Sequence, residues 1–233
     1  VFIKSGYTAT LNDGTSNLYS LTIEDGGRVD GAAGYMVNIT SYNGGGFYNY
    51  GTASILGTCY FNGDKVIKST DSAQVIGGSA FCKLGSTITL QSDITFKYVG
   101  IDSGGRLDAG SRQIKVTGNW KQDGTFTAGN STVTFAGTDN QNIDGTNIVF
   151  ANFAVNSSST VTPQKPLDIN GNFTITGGTF VAGNYEHFIS TNFSQTGGGF
   201  NSQTSTITFD GTGAQTVSVQ PLNKFYCFKY AGT

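Results

Sequence analysis

Apolar and polar residues alternate with a period of two through most of the chain. In Thr132-Val133-Thr134-Phe135, Thr206-Ile207-Thr208-Phe209, Thr87-Ile88-Thr89-Leu90 and Thr174-Ile175-Thr176, every second residue is apolar. That spacing predicts short strands with the apolar residues inward and the threonines outward. Asp-Gly, Asn-Gly and Gly-Gly pairs bound these runs and supply the positive-φ positions that tight turns need. No stretch carries a helical period, so the pattern predicts an all-β chain.

The alternation is itself repeated. Phe126, Ser131, Phe135, Gly137 and Gln141 return 74 positions later as Phe200, Ser205, Phe209, Gly211 and Gln215, and Phe150 and Phe153 return after one more residue as Phe225 and Phe228. Inside this unit lies a shorter shift of 20, which carries Phe173 to Phe193 and Phe180 to Phe200. A period near 20 is one coil of a solenoid, whose strands bury their inward residues only when neighbouring coils stack. The expected fold is a right-handed parallel β-helix with coils of about 20 residues nested in a 74-residue super-repeat. It reads as one continuous β-solenoid over 1–233, with diverged super-repeats at roughly 1–80, 81–156 and 157–233, the last incomplete. Phe126, Phe180 and Phe200, at equivalent coil positions, are expected to stack inside.

Composition narrows the partners. Charged residues are 12% of the chain, about half the usual share, and the formal net charge is -2. Such a chain has no electrostatic footprint for nucleic acid, and no segment approaches the ~20 apolar residues of a membrane span. The 12% aromatic content argues against disorder. The expected surface is neutral and polar, as on secreted and cell-surface proteins.

The order GNW-x-x-x-GTF-x-AG-x-STVTF-x-G-x-x-x-Q-x-I, then F-x-NF-x-V and a TVT strand, resembles the repeats of large bacterial surface proteins of the adhesin and filamentous-haemagglutinin style. The resemblance covers the C-terminal half well and the N-terminal half loosely. It implies an extracellular structural protein, part of a fibre, adhesin stalk or surface layer, and carries no catalytic motif. The second copy stops at AGT where the first runs on, so a longer repetitive protein is expected. Open solenoid ends predict head-to-tail or lateral association with itself or further chain. The alternative is a carbohydrate- or host-binding module on the same scaffold.

Candidate sites are few. Tyr42, Tyr48, Tyr50 and Tyr60, in a stretch that also holds Phe47 and Phe61, are the best candidates for glycan or partner contact, provided they face outward. Cys59 and Cys82 lie 23 residues apart, about one coil, and either form a disulfide or remain small buried hydrophobes. Asp13, Asp25, Asp123, Asp144 and Asp210 precede glycine and read as turn formers. The repeated pairs Arg28 with Asp30 and Arg106 with Asp108 read as structural bridges at an equivalent corner. His187, beside Glu186, has no nucleophile motif and reads as a surface or turn residue. No catalytic or cofactor site is expected, which tells against a polysaccharide-degrading enzyme. No metal site is expected beyond an incidental calcium ion. The Thr-x-Thr motifs begin at 87, 132, 174 and 206, spacings that skip coils and so disfavour an ice-binding ladder.

Overall fold

The computed structural model describes residues 1–11, 15–18, 20–25, 27–31, 36–40, 46–49, 52–55, 58–63, 65–69 and 75–232. Among these residues there are strands and turns and no helix. The chain forms two compact units, Val1–Ile114 with Gln122–Gly129, and Lys115–Lys121 with Asn130–Thr233. Each is built of stacked parallel coils, a β-solenoid.

In the first unit, seven strands follow one another in a single parallel sheet: Phe2–Ile3, Leu21–Ile23, Gly46–Asn49, Lys65–Ser69, Thr87–Leu90, Arg106–Asp108 and Thr125–Thr127. Ile88 lies opposite Leu107, which lies opposite Phe126, so each coil adds one buried residue to a column. A second side carries Thr15–Leu18, Met36–Thr40, Thr58–Asn62, Val75–Cys82 and Ile94–Ile101. A third carries Thr8–Leu11, Arg28–Gly31 and Thr52–Ile55.

The second unit repeats the plan. Thr132–Phe135, Asn152–Pro163, Phe173–Val181, Phe193–Gln195 and Val217–Ser218 form one run of strands. Ile148–Phe150, Leu167–Ile169, Glu186–Ile189, Thr206–Phe209 and Cys227–Tyr230 form another. The 20-residue shift appears directly in the register, with Phe173 opposite Phe193 and Phe180 opposite Phe200. Inward rings stack coil upon coil. Phe153–Phe173 and Phe173–Phe193 have centroids 5.0 Å apart, and Phe180 lies parallel to Phe200 at 6.2 Å. Such contacts add about 0.5–1.5 kcal/mol each to what area burial gives.

The 74-residue copy works differently. Thr132–Phe135 pairs with Asn152–Val155, whereas its copy Thr206–Phe209 pairs with Cys227–Tyr230 in a different sheet. A shift of 74 is not a whole number of 20-residue coils, so the copy lands on another side. Hence Phe126 lies opposite Leu107 in the first unit, while its copy Phe200 stacks on Phe180. The expected three-ring stack is therefore Phe180 on Phe200 without Phe126. Stacking follows the short period.

One turn shows why glycine recurs at the coil period. Gly178 and Gly198 both have left-handed φ, +68° and +61°, and a Cβ on Gly198 would collide with the Gly178 carbonyl oxygen. Only residues without a side chain let these two positions stack.

Candidate functional site

The aromatic stretch singled out by the sequence divides between faces. In Thr58–Asn62, Cys59 and Phe61 point inward and Tyr60 points outward. Tyr60 lies opposite Phe81, with ring centroids 5.3 Å apart and planes at 24°. Tyr98 continues the stripe at 5.3 Å from Phe81. Phe81 lies over Gly100, where a Cβ would strike its ring. The Lys83 ammonium sits 4.9 Å from the centre of Tyr60 and is bonded to Asp102 at 2.7 Å. The stripe is thus a stack whose ring faces are largely taken by one another and by Lys83.

Tyr48 is on a different sheet, half-buried between Thr22 and Lys68. Phe47 and Phe61 are core residues. Tyr42 and Tyr50 lie outside the described residues. The predicted contact residues Tyr48 and Tyr60 therefore share no surface. Phe81 and Tyr98 were missed, although aromatic residues 21 and 17 positions apart beside small residues were the available signal.

The register also answers the cysteine question. Cys59 lies opposite Ala80 and Cys82 opposite Phe61, so the two are staggered by two residues on the same inward face. At ~4.8 Å between strands and ~3.3 Å rise per residue, their Cα atoms stand about 8 Å apart. A disulfide spans less than about 7 Å. Both thiols are free and buried, which corrects the disulfide alternative. Burial pushes the Cys59 thiol up to about 12, and burial, with Asp102 second, pushes Cys82 up as well. In the folded chain at pH 8, iodoacetamide should label the exposed Cys227 alone, with Cys59 and Cys82 labelling only after denaturation. Mass spectrometry of the intact chain counts the adducts, and labelling of Cys59 or Cys82 as fast as Cys227 would refute the assignment.

The charged pairs sit within strands, not at corners. Arg28 bonds Asp30 at 2.7 Å on Arg28–Gly31, and Arg106 approaches Asp108 at 3.7 Å on Arg106–Asp108, in separate sheets of the first unit. They are exposed i, i+2 pairs worth little to stability. Asp25 and Asp123 lie at turns, as read, whereas Asp144 lies in the strand Gln141–Gly145, where its carboxylate accepts the Gly145 N–H at 2.8 Å. A hydrogen bond from Lys121, 2.9 Å away, does most to hold that carboxyl below its usual range.

His187 corrects the expectation of a surface residue. It is 2% exposed and holds the inward position that Ile207 fills in the next coil. The Leu167 N–H donates to Nδ1 at 3.1 Å, and Nε2 lies 2.8 Å from the Ala182 carbonyl oxygen. Those two bonds require the neutral ring with its proton on Nε2. The imidazole is a coil fastener, committed at both nitrogens.

The Thr-x-Thr motifs are likewise scattered. Thr87–Leu90 and Thr206–Phe209 lie in sheets other than the one holding Thr132–Phe135 and Phe173–Val181. On that last face the outward column reads Thr134, Ala154, Thr174, Ser194, Ser218, small and uncharged but not a threonine ladder.

Among the described residues no group of three or more His, Cys, Asp or Glu side chains is placed to hold a metal ion. Compared with known protein families, curated proteins and solved structures, the chain matches none.

Proposed function

We propose that the chain is a structural element of an extracellular or cell-surface assembly, a stretch of fibre, adhesin stalk or surface layer that associates with copies of itself. The observation that carries this reading is what the duplication preserves. Gln141 donates to the carbonyls of Val116 and Gly118 at 3.0 and 2.6 Å; its copy Gln215 donates to those of Ile189 and Thr191 at 2.8 and 2.7 Å. Asn119 accepts the Asn142 N–H at 2.8 Å, and Asn192 accepts the Thr216 N–H at 2.8 Å. Ser131 and Ser205 are both fully buried. The copies thus retain the glutamine that fastens one coil to the next and a buried serine, together with the alternate threonines Thr132 and Thr134, which return as Thr206 and Thr208: a strand and its fastening.

Two further features support association at strand edges, with copies of the chain or with further chain. Cys227–Tyr230 is paired on one side with Thr206–Phe209, and all four of its residues are exposed. Phe2–Ile3 ends its sheet in the same way, with Phe2 exposed. Strand edges with exposed apolar side chains template pairing with another chain. Sedimentation velocity from one to tens of micromolar should show a weight-average mass that climbs with concentration, with filaments or sheets under the electron microscope. A single monomeric species across that range would defeat the proposal.

A further inference from the structure

The second unit carries a groove of about 590 Å³ on the face of the strands Ile148–Phe150, Leu167–Ile169 and Glu186–Ile189. Three successive coils build it. One supplies Asn147 and Val149, the next Lys165 and Asp168, and the third Phe188, over a floor of buried Ile148 and Leu167. Its size falls within the ~300–1,000 Å³ of ordinary small-molecule sites.

Asp168 is the group in this groove that the fold does not explain. It points outward between Val149 and Phe188, its register partners on either side. Burial, and then the charge of Asp210, raise its carboxyl above the usual range. Four other part-buried acidic side chains have partners: Asp102 has Lys83, Asp144 has Lys121, Glu186 has Thr208 and Lys229, and Asp210 has Ser190. Asp168 makes no hydrogen bond or ion pair with another described residue. A half-buried carboxylate with no donor from the chain is left to water, or to a ligand that brings donors of its own.

The lining says what kind of donor would relieve it. Lys165 opposes a cation, and Asp168 with Asp210 opposes an anion, so the fitting ligand is neutral. It must offer hydroxyl donors to Asp168 and an apolar face to Phe188, whose ring is partly exposed and in contact with no other ring among the described residues. Lys165 can donate to the ligand's own oxygens. A pyranose ring has these properties together, since its hydroxyls lie around the rim and its C–H bonds form a flat apolar side. We propose that this groove binds a neutral hexose-based glycan, with Phe188 as the stacking platform and Asp168 as the hydroxyl acceptor. The site is independent of the structural role and stands or falls without it.

Calorimetric titration of the full chain with cellohexaose, mannohexaose and chitohexaose tests the assignment. At least one is expected to bind, Asp168→Asn and Phe188→Ala are each expected to weaken it at least tenfold, and Tyr60→Ala to leave it unchanged. Asp168→Asn keeps the side-chain shape, so it reads the site even if Phe188→Ala misfolds. Binding of none of the three, or equal binding by wild type and Asp168→Asn, overturns the proposal. So does tight binding of calcium chloride at Asp168 in place of the sugars.

Discussion

Replacing Gln141 by leucine should destabilise the second unit by about 3–5 kcal/mol, while the same change at its copy, Gln215, should cost only about 1–2 kcal/mol. Gln141 is fully buried and satisfies three backbone groups at once, accepting the Gly137 N–H at 2.8 Å besides donating to the carbonyls of Val116 and Gly118. Leucine fills the same space, so little of the loss comes from a cavity. What remains is the Gly137 N–H and the Gly118 carbonyl without this partner, each costing roughly 1–3 kcal/mol, while the Val116 carbonyl keeps the Ala136 N–H at 2.9 Å. Gln215 is half-buried, its Oε1 has no partner, and the Ile189 carbonyl it serves also accepts the Asp210 N–H at 3.2 Å. Circular dichroism melts should therefore show Gln141→Leu lowered by roughly 10 °C and Gln215→Leu by a few degrees. Hydrogen exchange at the Gly137 amide should accelerate in the first variant only. Equal shifts in the two variants would show that the copied glutamines do not fasten coils as the bonds indicate.

That contrast marks where the sequence is legible and where it is not. Alternation gives the strands, because a strand with one buried face has no other way to write itself. The 20-residue spacing of Phe173 and Phe193 gives the coil, since stacked rings must recur once per turn. The 74-residue copy is equally plain in the sequence but says less about packing than it promises. It duplicates a strand with its following turn, and only the coil length decides on which side that cassette comes to lie.

Small differences in coil length are the part that composition hides. Cys59 and Cys82 look like neighbours one coil apart, yet the local coil places Ala80, 21 residues on, opposite Cys59. The two-residue difference between a 21-residue coil and a 23-residue spacing is invisible to an approximate period and is enough to stagger the thiols out of reach. Aromatic exposure fails for a related reason. Tyr48 and Tyr60 are close in sequence, but the strand Thr52–Ile55 intervenes and the two lie in different sheets. Asp168 and Phe188 stand 20 residues apart and show no motif; only the register makes them adjacent.

His187 turns the same coil geometry into a pH dependence. Burial holds its imidazole below the ordinary histidine range, with the bond to Ala182 a smaller opposing influence. The folded chain therefore keeps the ring neutral at pH values where the unfolded chain has already taken up a proton. The sign follows from linkage: a group that binds its proton less readily when folded contributes stability that is complete above the unfolded value of ~6.5 and is lost as the pH falls below it. Protonation would also put a donor on Nδ1, facing the Leu167 N–H that now donates to it. The charged groups near this ring are few; Glu186, the adjacent residue, points outward to Thr208 and Lys229. Urea unfolding from pH 7.5 to 5 should show the wild type weakening steadily below pH 6.5. His187→Gln should lose most of that slope and start lower, by about 1–3 kcal/mol at pH 7.5, because one of its two backbone partners is left less well served. His187→Leu should start lower still, with both the Leu167 N–H and the Ala182 carbonyl unpaired in the core. A His187→Gln variant with the wild-type pH slope would mean that acid sensitivity resides in the surface carboxylates, and that the buried imidazole is not what ties folding to pH.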